Sequence, residues 1–104
     1  RRLLAQRREL TARHRLCARH LAGLAWRGES HCPHVWLDLP PGRSPAFARQ
    51  ALAAGVVVVP SAVFAVGRAT ADGVRISLGA AADRASLAEA LARLAALPAG
   101  QRES

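Results

Sequence analysis

Over Val74-Arg75-Ile76-Ser77-Leu78-Gly79, Val74, Ile76 and Leu78 fall on one side and Arg75 and Ser77 on the other. A period of two is that of a strand half buried against a core, so the pattern predicts a strand carrying a guanidinium on its polar face. Upstream, Gly55-Val56-Val57-Val58-Val59-Pro60 predicts another strand, and four successive β-branched valines suit burial on both of its faces. His34-Val35-Trp36-Leu37-Asp38-Leu39 alternates as well, with Val35, Leu37 and Leu39 opposite His34, Trp36 and Asp38, and Pro40-Pro41-Gly42 ends it. Asp72-Gly73 reads as a turn feeding the Arg75 strand, at the end of a small, polar hairpin loop over 67–73. Residues 60–66 fit either a loop that lays Phe64 on the core or a short strand.

Elsewhere the apolar spacing is helical. Leu3, Leu10, Cys17, Leu21 and Leu24, flanked by Leu4 and Leu16, form one stripe over residues 1–24, with arginines on the remaining surface. Gly23 and Gly28 stand where this helix would stop, and residues 25–33 form a connector that Pro33 keeps non-helical. Ser44-Pro45 predicts a second helix, with the hydroxyl as N-cap and proline at the first helical position, ending at Gly55. A third starts near Asp83 or Ser86, the latter in capping-box spacing with Glu89, and buries Leu87, Leu91 and Leu94. The order helix, strand, helix, strand, strand, helix implies an α+β fold: a small, mostly antiparallel sheet of three to four strands with helices packed on one face. The expected organisation is an entering helix and connector over 1–28, a small α+β domain over 29–97, and a loose tail over 98–104.

At 104 residues, the chain has room for one modest core. It lacks Met altogether and begins with Arg1, so we expect a piece of a longer protein. All fifteen Lys and Arg positions are Arg, and the net charge is +8. Such a balance points to nucleic acid or another anionic surface. Six of the arginines, however, lie within residues 1–15, where they read as the solvated side of one helix. The aromatic residues are Trp26, Trp36, Phe47 and Phe64, with no ring-rich strand of the kind that stacks RNA bases. No stretch approaches the roughly 20 apolar residues of a membrane span, and no export signal precedes the two cysteines, which suggests reduced thiols in the cytoplasm.

Cys17-x-x-His20 followed by His31-Cys32-Pro33-His34 supplies zinc-type ligands, but the spacing matches no usual structural site, and Cys17 lies on the apolar stripe. We therefore expect no metal. Either cysteine beside a histidine would make a thiol nucleophile, yet no third group is placed to orient it. Arg68 and Arg75 are the best anion-binding candidates, and Arg75 has two readings: a fixed fork for a carboxylate, or one more solvated arginine on an edge strand.

Taken together, His34-Val35-Trp36-Leu37-Asp38-Leu39-Pro40, Ala54-Gly55-Val56 leading to Val59-Pro60 with Phe64 four residues on, Val74-Arg75-Ile76-Ser77-Leu78-Gly79, and the closing leucine-rich helix look familiar. From His34 to Leu97 the chain resembles the C-terminal small domain of fold-type I, pyridoxal-phosphate-dependent aminotransferases, above all the aminotransferase-like half of MocR-type regulators of the GntR superfamily. The arginine-rich segment at 1–24 suits the long helix that enters that domain. The resemblance implies that Arg75 grips the α-carboxylate of an amino-acid substrate or effector. It also implies pyridoxal 5'-phosphate held mainly by a large domain elsewhere, a homodimeric parent, and DNA contact only through an N-terminal winged helix. The chain departs from the family pattern in two places: Ser61 stands where glycine is usual, and His31-Cys32-Pro33 replaces glycines before the strand that starts at His34. The chain has no lysine to bind the cofactor covalently, so by itself it is expected to be inactive. The parent is either a regulator or a plain aminotransferase, and the competing expectation is a small basic nucleic-acid-binding α+β module.

Overall fold

The computed structural model describes residues 2–29, 31–60 and 72–98. The readings made for 60–66 and 67–73, including Phe64, Arg68 and Ser61, and for the tail from 99 onward therefore fall largely or wholly outside the described residues. Seven elements follow in order: α1 (Arg2–His20), β1 (Trp26–Arg27), β2 (His34–Asp38), α2 (Ser44–Ala53), β3 (Val59–Pro60), β4 (Gly73–Ser77) and α3 (Arg84–Ala96). The strands make one antiparallel sheet in the order β1-β2-β4-β3. This is the α+β layer that the periodicity predicts.

Alternation fixes which face is buried. Register pairs Val35 with Ile76 and Leu37 with Val74, and all four are buried. On that side they meet Cys17 and Leu21 from α1, Phe47 and Ala51 from α2, and Leu87, Leu91 and Leu94 from α3. The second half of α1 thus belongs to the same core as the sheet. Its first turn does not: Leu3 is 60% exposed, so the apolar stripe is seated only further along the helix.

Several local expectations change. The connector contains a strand, β1, whose two residues are too few to show a period. The valine run is a strand only at Val59–Pro60; Val57 precedes it and is 72% exposed between buried Val56 and Val58, so the run is not buried on both faces. The α2 N-cap is Arg43 rather than Ser44 and makes no side-chain cap bond; Ser44 is the first helical residue and is buried. Gly55, at φ +89°, follows α2 in the left-handed conformation expected of its stop. For α3 the cap is Asp83, whose carboxylate accepts from the Ser86 amide at 2.8 Å, while Glu89 pairs instead with Arg93 one turn later.

Asp72-Gly73 is not a free-standing turn. Gly73 already pairs with Asp38, the Asp72 carbonyl accepts from the Leu39 amide at 2.9 Å, and the Asp72 carboxylate accepts from the Gly42 amide. The pair ties the loop after β2 to the start of β4.

Candidate functional site

β4 lies between β2 and β3, so Arg75 stands on an interior strand and not on an edge. Its neighbours Val74 and Ile76 point into the core, which forces Arg75 onto the opposite face, where it is exposed and where no helix of the described residues packs. Register builds a row across that face: Arg27 on β1 opposite Trp36 on β2, Trp36 opposite Arg75 on β4, and Arg75 opposite Val59 on β3. Side chains directly opposite in antiparallel strands have Cβ atoms roughly 5 Å apart. Arg75 is therefore flanked by an indole on one side and a valine on the other.

The indole is held from two directions. Its Nε1–H donates to Asp38 Oδ1 at 2.7 Å, and the same oxygen accepts from Arg27 at 3.0 Å. Beneath the ring lies Gly73. A Cβ added there would come within 2.7 Å of Trp36 Cζ2 and would also strike the Leu37 carbonyl oxygen. Gly73 is needed for this close approach, and although it sits on a sheet face without helices it is buried. Sequence reasoning placed Arg75 correctly but missed this brace. The available signal was the i, i+2 pair Trp36 and Asp38 on one strand face, which the alternation already displays.

The other candidates disperse. Cys17 is fully buried in the core, and desolvation pushes its thiol up to about 11, so it is a poor nucleophile at neutral pH. Cys32 is half-buried, and its carbonyl is hydrogen-bonded to His14 Nε2 at 2.8 Å; both cysteines are free thiols. Among the described residues no group of three or more His, Cys, Asp or Glu is placed to hold a metal ion. Arg7, Arg8 and Arg15 are exposed on α1, as expected of a solvated face. Arg13 is not: it is buried and donates to the carbonyls of Leu78 at 2.7 Å and Ala81 at 3.0 Å, clamping the β4–α3 loop.

The class of molecule that these features define is an α+β layer whose sheet, on the face turned from the helices, carries a braced tryptophan beside an arginine. Compared with protein-family models, curated proteins and solved structures, the chain matches none. Among the described residues, no helix is long and apolar enough to cross a membrane.

Proposed function

We propose that the chain is the small domain of a longer pyridoxal-phosphate-dependent, aminotransferase-like protein, in which Arg75 binds the α-carboxylate of an amino acid. The observation that carries this reading is the placement of one exposed guanidinium on an interior strand, directly beside an indole. A planar fork on a rigid strand suits bidentate recognition of a carboxylate, which orients the amine of the same molecule toward a reactive carbonyl. The cofactor supplies an electron sink for chemistry at the α-carbon. With no lysine in the chain, its covalent anchor belongs to the remainder of the parent. That parent is a homodimeric MocR-type regulator, meeting DNA through an upstream domain, or an aminotransferase. Two free thiols, one of them buried, suit the cytoplasm.

A sheltered arginine–carboxylate pair is worth about 1.5–3 kcal/mol, or roughly 10- to 150-fold in affinity. In the parent protein loaded with cofactor, binding of L-alanine, L-phenylalanine and L-lysine is compared with that of ethylamine, phenethylamine and cadaverine. Arg75→Ala should cut the preference for the amino acid of the best-bound pair by about that factor while cofactor absorbance stays normal. An unchanged preference rejects the assignment.

A second reading rests on the same face. An aromatic ring with Arg27 and Arg75 on either side, on an antiparallel sheet, is also a platform for stacking a nucleic-acid base. Salt-sensitive binding of the chain to single-stranded oligonucleotides would favour this alternative.

A further inference from the structure

We propose that the outward side of α1, between Arg7 and Arg15, is a contact surface for the phosphate backbone of duplex nucleic acid. It shares no residue with the sheet face that carries Arg75. A depression of about 530 Å³ there is lined by Arg7, Arg8, Thr11 and Arg15 from α1, by His31 from the connector and by Arg84 from the start of α3, and no acidic residue lines it. Arg7, Arg8 and Arg15 are exposed, and their side chains make no hydrogen bond or ion pair to any described residue. Arg84 gives Nε and Nη2 to Glu9 and keeps Nη1 for a further acceptor.

The pattern differs from that of a helix side that merely meets water. Such a side ordinarily balances its charges with acids three or four residues away, yet none of Arg7, Arg8 and Arg15 has one at that spacing in either direction. Glu9, the one carboxylate of α1, is turned to α3 and taken up by Arg84 and Arg13. His31 adds a ring donor from a strained backbone. The Cys32 amide closes a turn on the Glu29 carbonyl at 2.9 Å, and within it His31 holds φ +70°, a positive value found at no other non-glycine among the described residues. Size and chemistry select the occupant. Arg8 and Arg15, seven residues apart, lie on one side of the helix, about 10 Å apart along its axis. A single carboxylate or phosphate does not span that distance, whereas about three successive phosphates of one strand do. No Phe, Tyr or Trp lines the surface to stack an unpaired base. The contact is therefore to a backbone kept regular by base pairing, and it carries no sequence preference.

The test titrates the chain against a short, fluorescently labelled duplex DNA of mixed sequence, reading anisotropy between about 50 and 200 mM salt. The log–log slope of affinity against salt should be about −3, as for three to four neutralised phosphates. Arg8→Ala and Arg15→Ala should each make the slope shallower by about one unit, and the double variant by about two. Arg15→Lys should keep the unsubstituted value, because a phosphate also accepts a point charge. Arg49→Ala removes the same charge from an exposed position on α2 and should leave the slope unchanged. Melting curves establish that each variant keeps its fold. An equal change from Arg49→Ala, no binding of the duplex at the low-salt end, or a single strand of the same sequence bound at least as tightly would overturn the proposal.

Discussion

Gly73 shows how much a single missing Cβ decides. The pattern Asp-Gly suggests a turn, because glycine is most often wanted for its backbone freedom. Here its φ is unremarkable, and what matters is the space above it, which Trp36 occupies. Gly73→Ala should cost about 1–3 kcal/mol through overpacking and should shift the indole out of its recess. Gly79 is the natural control: an added Cβ there meets nothing within 4 Å, so Gly79→Ala should stay within about 0.5 kcal/mol of the parent sequence. Denaturant midpoints and tryptophan emission measure both. Equal effects at the two sites would contradict the packing argument. At this scale the sequence displayed Arg75 plainly, because alternation reports the face of a strand residue. It hid Arg13, since nothing in a helical arginine's spacing says that two carbonyls 65 and 68 residues away will accept its protons.

Among elements, one carboxylate bridges α1 and α3 at the surface. Glu9 accepts from Arg84 at 2.8 Å on α3 and from Arg13 at 2.7 Å on its own helix. The Arg84 bonds, then those of Arg13, hold the Glu9 carboxyl down to about 2, against an ordinary value near 4.5. A carboxyl depressed on folding stabilises the native state above its unfolded value and loses that contribution as pH falls through the folded value. The Glu9 contribution is thus whole above about pH 4.5 and disappears toward pH 2. Glu9→Gln should lower Tm near neutral pH and flatten its decline in that acid window. Thermal melts across the window check this, and parallel curves for the two proteins would refute it. The three helices and the Arg75 strand were legible because their apolar spacing repeats several times. The short strand β1 and the exposure of Val57 were not, since both depend on where the sheet happens to end.

For the whole molecule, layer and face are the quantities that matter. Among the described residues, three helices cover one side of a four-stranded sheet, and the other side carries Arg27, Trp36, Arg75 and Val59 in one row. That asymmetry follows from alternation along each strand, and it is why a polar site sits on this chain without disturbing its core. Strand order and register join segments far apart in sequence, so no local pattern could announce that Trp36 and Arg75 are neighbours. The most direct test of the central claim is a crystal structure of the cofactor-loaded parent soaked with the amino acid that it binds best. The account predicts both α-carboxylate oxygens about 2.7–2.9 Å from the Arg75 guanidinium nitrogens, with the indole of Trp36 alongside. A carboxylate bound by another residue, with Arg75 left in solvent, would contradict it.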